Sequence, residues 1–241
     1  MYLDIVAKGL NGSADAFIKG WWTCDNLTNL VRIFTRNRDA ANQFESGIAN
    51  LAIWIMKLSH SCRRNNLKES LRNIHAHYDL GNDFFSTFLD DTRMYSCAIF
   101  NKPESSLHEA SITKIDRICK KLNLSPADHL LEIGTGWGGF ALHAAKHYGC
   151  RVTSTTISKE QFVFTENLIK ENGLQDQVTI LKKDFRQLDG QFDKLVSIEM
   201  IEAVGYKLYK TFFQKCSQLL KPEGLLVIQT ITITDNLFEE S

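Results

Sequence analysis

Neither sign of charge is in excess in this 241-residue chain: lysine plus arginine and aspartate plus glutamate each number 28. With no global field to draw it to nucleic acid or to an anionic membrane, contact with either would need a local patch, and no nucleic-acid partner is expected. Long apolar runs are also missing. The longest, Leu51 to Met56, is far too short to span a bilayer, and the opening MYLDIVAKGL has no basic stretch leading into an apolar one, so neither a leader nor a spanning anchor is expected. The six cysteines, at 24, 62, 97, 119, 150 and 216, include no CxxC pair and no Cys/His ligand spacing. That pattern favours free thiols in a reducing compartment over a disulfide framework or zinc, and places the protein in the cytoplasm. There is no internal repeat and no low-complexity segment.

What is present is the composition of a globular chain, 44% hydrophobic and 23% charged. Residues 1 to about 122 read as helices joined by short loops. Ser13 and Asp15 can cap a segment carrying Phe17, Trp21 and Trp22, and apolar residues recur at helical spacing over 27–34, 44–58, 67–77 and 107–122. From His129 the texture changes to short apolar runs alternating with amphipathic stretches. Strands are predicted near 129–133, 150–156, 178–182, 192–198 and 225–231, with helices near 138–148, 159–172 and 207–220. Repeated βα units imply an α/β fold with a parallel sheet, preceded by an α-helical region. The division expected is 1–122, helical and on the substrate side, and 123–241, a ligand-binding domain. The chain stops shortly after the fifth strand, which would leave a sheet edge uncovered and points to a truncated or unusual form.

At the end of the first predicted strand stands LLEIGTGWGGF, Leu130 to Phe140. Glycines at 134, 136, 138 and 139 let a ligand approach the backbone. The register is GxGxG rather than GxGxxG, so a pyrophosphate seated on the helix N-terminus is not expected. The alternative is a glycine-rich turn with no ligand.

This E/DxGxGxG pattern resembles motif I of class I S-adenosylmethionine (SAM) methyltransferases, whose fold is a Rossmann-like, mostly parallel sheet. Other stretches narrow the resemblance. TISKEQ (156–161), HYDLGNDFFSTFLDDTRMYSCAIF (77–100), IEMIEAVG (198–205), LKPEGLLVIQTIT (220–232) and AFIKGWWTCDNLTNLV (16–31) are similar to segments of the cyclopropane fatty acid synthases and mycolic acid cyclopropane synthases.

The resemblance implies transfer of the SAM methyl group to the cis double bond of an unsaturated phospholipid acyl chain, with bicarbonate removing a proton as the ring closes. It assigns SAM contacts to Tyr95 and Ser96, to Leu131, Glu132, Ile133, Gly134, Thr135, Gly136, Trp137, Gly138 and Gly139, to Thr156, Ile157, Ser158 and Gln161, and to Asp184, Phe185 and Arg186. Glu202, Cys97 and Gln229 are the catalytic candidates around bicarbonate. The partners implied are unsaturated phospholipid acyl chains and a membrane met peripherally, with a homodimer left open; no metal is implied.

Departures from the family pattern accompany it. No acid stands at the tip of the second strand, and Gln229 replaces a histidine, a change that removes a group able to carry a proton at neutral pH. The family's last two strands, a tyrosine reaching bicarbonate and a late cysteine are not in this chain. Methylation without ring closure, N-methylation of a small molecule, and a catalytically impaired SAM-binding fragment therefore stand as alternatives.

Several features allow two readings. Glu199 and Glu202 could form a carboxylate pair, or Glu202 alone could face the cavity while Glu199 serves SAM or the strand end. His75 and His77 form an HxH pair without a third ligand nearby. Trp21, Trp22 and Phe17 could meet a bilayer or pack a helical core. Lys57, Arg63, Arg64 and Lys68 could meet lipid phosphates or be a solvated face.

Overall fold

Adjacent leucines at the centre of β1 (His129–Ile133) serve opposite faces of the sheet, because side chains alternate along a strand. Leu130 joins Phe140, Val152 and Val196 in one apolar cluster, while Leu131 joins Leu195, Phe212 and Leu219 in another. Both faces are thus covered, which is why two adjacent leucines are both fully buried. The computed structural model describes residues 12–37 and 81–235. The chain divides into two compact units, Met1–Arg64 and Asn65–Ser241.

In the first unit, residues 12–18 are helical and α1 covers Leu27–Arg36, capped by the Asn26 side chain, which accepts from the Asn29 N–H. Ser13 lies inside the first helical stretch rather than capping it; its carbonyl instead accepts from the Trp22 indole at 3.1 Å, and the Trp22 ring stacks on Phe17 at 4.9 Å. The helices expected at 44–58 and 67–77, the HxH pair, Cys62 and the basic cluster lie outside the described residues.

The second unit carries α2 (Asn82–Ser86), α3 (Leu107–Lys121), β1, α4 (Gly139–Tyr148), β2 (Arg151–Thr156), α5 (Lys159–Glu171), β3 (Val178–Lys182), β4 (Phe192–Ile198), α6 (Ile201–Val204), α7 (Tyr209–Leu219) and β5 (Leu220–Gln229). All strands are parallel, in the order β3-β2-β1-β4-β5. Helix α3 opens with a capping box between Ser106 and Glu109 and buries Ile115, Ile118 and Cys119 in the cluster shared with α4. On the other face α7 contributes Phe212, Cys216 and Leu219.

Four strands fall where the sequence pattern put them. The fifth begins earlier, at Leu220, and a register shift between the Phe192 and Lys194 pairings absorbs the Pro222-Glu-Gly224 segment, whose proline has no N–H for the ladder. The parallel arrangement brings every strand's carboxyl end to one rim, the place where open α/β sheets bind ligands.

Candidate active site

The glycine turn after β1 stands at the centre of that rim. Gly136 has φ +53 and open space where a Cβ would be, so the backbone itself forms the wall there. Gly139 has the opposite reason: a Cβ would come within 2.2 Å of the Thr92 carbonyl oxygen, so only glycine lets the 92–97 segment lie against the start of α4. The turn opens on a cavity of about 940 Å³, toward the top of the range of roughly 300–1,000 Å³ typical of small-molecule sites.

The tryptophan among the glycines reaches out of the loop. Its indole N–H donates to Asn82 Oδ1 at 2.7 Å, and its ring stacks on Phe85 at 4.7 Å. Phe85 in turn meets Tyr95 at 5.2 Å, so Trp137, Phe85 and Tyr95 continue as one aromatic group, with Phe88 added at 6.1 Å from Tyr95. Trp137, Tyr95 and Phe88 line the cavity.

The tip of β2 carries hydroxyls and an amide where an acid was absent from the sequence. Thr156 Oγ1 donates to Gln161 Oε1 at 2.8 Å and accepts from the Ser158 N–H, while the Ser158 side chain caps α5. After β3, Asp184 holds Arg186 in a two-pronged ion pair with both contacts at 2.7 Å and also accepts from the Arg186 backbone N–H. This fixes the Phe185–Arg186 segment at the cavity wall.

Of the assigned ligand contacts, Tyr95, Ser96, Glu132, Ile133, Gly134, Thr135, Gly136, Trp137, Thr156, Ile157, Gln161, Asp184, Phe185 and Arg186 line the cavity, as do Cys97 and Glu202. Leu131 is buried in the core, Gly138 is the N-cap of α4 and Gly139 its first residue, and Ser158 acts as the cap of α5. Glu132 is 2% exposed; burial pushes its carboxyl up to about 8, against the opposing pull of the Ser154 hydroxyl that donates to it and of Lys114 nearby. The Thr135 hydroxyl in the turn is buried and makes no hydrogen bond within the protein, a polar atom open to a ligand.

Both Glu199 and Glu202 line the cavity, so the reading in which only Glu202 faces it does not match the structure. Glu199 links the other two catalytic candidates: its Oε1 accepts from the Cys97 N–H at 3.0 Å and from Gln229 Nε2 at 2.7 Å. Glu202 Oε1 is bound by Thr230 Oγ1 at 2.8 Å and by the Ile231 N–H at 2.7 Å. Lys114 was not singled out from the sequence. It is 1% exposed, donates to Ser96 Oγ at 2.6 Å, and burial holds its ammonium down to about 8. Its place on the inward stripe of α3, beside Ile115 and Ile118, is the signal that could have found it.

Among the described residues no group of three His, Cys, Asp or Glu could hold a metal, and no helix is long and apolar enough to cross a membrane. The described cysteines, 24, 97, 119, 150 and 216, are free.

Comparison with known proteins fits this site. The profile of the mycolic acid cyclopropane synthetase family matches residues 65–240. A tuberculostearic acid methyltransferase of Mycobacterium tuberculosis, UfaA1, is 34% identical over 236 residues, covering 93% of this chain and 54% of its own. The cyclopropane-fatty-acyl-phospholipid synthase of Escherichia coli K12 is 36% identical over 231 residues, covering 94% of this chain and 57% of its own. The solved structure of the mycolic acid cyclopropane synthase CmaA1 complexed with SAH and CTAB superposes with a TM-score of 0.64 at 37% identity, covering 66% of this chain and 55% of that one. The chain thus spans about half the length of the curated relatives it matches.

Proposed function

The chain belongs to the mycolic acid cyclopropane synthetase family and has the parallel sheet of class I SAM methyltransferases; from that premise we propose that it binds SAM at the glycine turn and transfers its methyl group to the double bond of an unsaturated phospholipid acyl chain. The observation that carries the reading is the glycine turn of β1 opening onto a single cavity whose further walls are aromatic and carboxylate. The relative solved with SAH supports the choice of ligand.

The residues present fit SAM. Gly136 offers bare backbone, the Thr135 hydroxyl is buried and unpartnered, and Thr156, Gln161 and the Asp184-braced Phe185–Arg186 segment supply polar and planar groups along one wall. When bound, SAM supplies a methyl group on a positively charged sulfur. The protein's part is to present that methyl to a weak nucleophile in a dry place. Phe88, Tyr95 and Trp137 exclude water and offer π-faces to a developing cation. Leu107, Val204, Leu208 and Ile231 make the rest of the wall suitable for an acyl chain reaching in from a membrane met peripherally. Proton removal, the step for which the resemblance implied bicarbonate, needs a base on this wall.

The test is incubation with SAM and vesicles of dioleoylphosphatidylglycerol, followed by mass analysis of the fatty acid methyl esters. A gain of one methylene per acyl chain is expected. Acyl chains of unchanged mass would overturn the reading, and methyl transfer to small amines alone would replace it with N-methylation.

A further inference from the structure

Glu199 is the residue immediately after β4 and has φ 46, a left-handed conformation that a side chain with a Cβ disfavours. Two neighbours hold it there. Its own N–H donates to the Gln229 carbonyl at 2.8 Å, and the Gln229 amide donates back to its carboxylate at 2.7 Å. The effect of the turn is to aim the carboxylate sideways onto Cys97, whose backbone N–H donates to the same oxygen, Oε1, at 3.0 Å. Backbone strain maintained by surrounding contacts is a mark of functional sites.

Two donors, the Cys97 N–H and the Gln229 amide, meet on Oε1, and three acceptors surround that amide. Gln229 Nε2 faces Glu199 Oε1, the Cys97 carbonyl at 3.3 Å and Cys97 Sγ at 3.4 Å, acceptors on every side. A glutamine amide neither gains nor loses a proton in water near neutrality, so it fixes the carboxylate without competing for the proton. Both hydrogen bonds end on Oε1, and proton uptake at Oε2 would leave them intact. Lys114, behind Ser96, places a cationic group near this carboxylate, and the Cys97 thiol is the other titratable neighbour.

Glu202 is less suited to the same task. It is exposed at the mouth, and its Oε1 ties down the backbone and side chain that follow β5, whereas Glu199 is half-buried. A base that acts beside a carbocation must be sheltered, because water there would capture the cation instead.

We propose that Glu199 is the built-in general base of this site, so that turnover needs no dissolved bicarbonate; the proposal rests on the methyl-transfer reading above. In the step, the alkene π pair forms the new bond to the methyl carbon and the carbon–sulfur pair stays with the sulfur. The neighbouring carbon is left positive. Glu199 Oε2 then takes a proton from the transferred methyl group, and the released C–H pair closes the third side of the ring. The proton leaves to water when the product departs.

The experiment compares the wild type, Glu199→Gln and Glu199→Gly with SAM and dioleoylphosphatidylglycerol vesicles in carbonate-free buffer, with and without added bicarbonate or formate. The wild type should turn over equally in all buffers. Glu199→Gln should lose roughly 10²–10⁴-fold in turnover while keeping its calorimetric affinity for SAM. Glu199→Gly relieves the left-handed backbone and vacates the carboxylate's place, so added bicarbonate or formate should restore part of its rate. A second readout does not depend on turnover: alkylation of Cys97, followed by peptide mass, should be faster in Glu199→Gln, because burial and, after it, the Glu199 carboxylate hold the thiol up, and the second of these is gone. An active Glu199→Gln, a wild type that stalls without bicarbonate, or an unchanged Cys97 alkylation rate overturns the assignment and leaves the methyltransferase reading standing. A wild type that forms no product on any lipid overturns both.

Discussion

Trp137 and Asn82 are joined by a 2.7 Å hydrogen bond across 55 residues of sequence, from the indole N–H in the glycine turn to the side-chain carbonyl at the head of α2. This explains a tryptophan among glycines. The turn needs bare backbone on its ligand side and a long arm on the other, and the arm fastens the aromatic wall of Phe85 and Tyr95 to the sheet.

Removing either end of that bond should cost stability and loosen the ligand site together. Trp137→Phe and Asn82→Ala are each expected to lose about 1 kcal/mol in urea denaturation, with a raised KM for SAM. Because the two share one interaction, the double variant should lose less than the sum, and strict additivity would show that the bond contributes nothing.

Gly139→Ala tests the close approach of the 92–97 segment. The added Cβ meets the Thr92 carbonyl oxygen at 2.2 Å, a backbone atom that cannot swing aside. The expected cost is roughly 1–3 kcal/mol, read as a lowered Tm, with a weaker response of that Tm to SAM. A variant as stable and as responsive as the wild type would contradict this packing.

Asp184→Ala frees the Arg186 guanidinium and the backbone N–H that the carboxylate now holds. With Phe185 no longer fixed at the cavity wall, Kd for SAM should rise by about tenfold, the equivalent of one charge-assisted hydrogen bond. Calorimetric titration of SAM checks it, and Asp184→Asn, which keeps one acceptor oxygen, should fall between.

Glu132 sets a pH dependence of stability. Its carboxyl titrates near 8 in the fold against an ordinary value of 4.5, so between those values the folded chain keeps a proton that the unfolded chain has released. Stability should therefore fall as pH rises through that window, by up to about 1.4 kcal/mol per pH unit, and level off above it. Lys114, held down to about 8 by burial, acts in the opposite sense above pH 8, where the unfolded chain still carries the proton. Melting curves of the ligand-free protein from pH 5 to 8 should slope downward in the wild type and run flatter in Glu132→Gln.

Much of this was legible in the sequence, and the reasons can be assigned residue by residue. The adjacent leucines of β1, the GTGWGG turn and the Asn172-Gly173 helix end are local signals, and each fell where expected because a parallel sheet covered on both faces leaves little freedom. The family resemblance carried by YSCAIF, GTGWGG and TISKEQ is borne out. Glu199 was seen but assigned to SAM or the strand end, because nothing in IEMIEAVG announces a left-handed residue after β4. Lys114 stood on a helix stripe read through its isoleucines, and a buried lysine on such a stripe shows itself only once its partner, Ser96, is brought from another segment. The start of β5 was misplaced because Pro222 and Gly224 look like a turn, and the sheet accommodates them as a shift of register.

Since all five strands point the same way, the packed core lies along the sheet and the cavity lies at its carboxyl rim. The leucines, valines and phenylalanines that keep the fold together lie along the strands and the helices packed on them, whereas the connections leaving the strand tips line the cavity. On the methyl-transfer reading, a graft of the 88–97 or 199–208 connection from another family member should change which substrates turn over while leaving the foundation undisturbed.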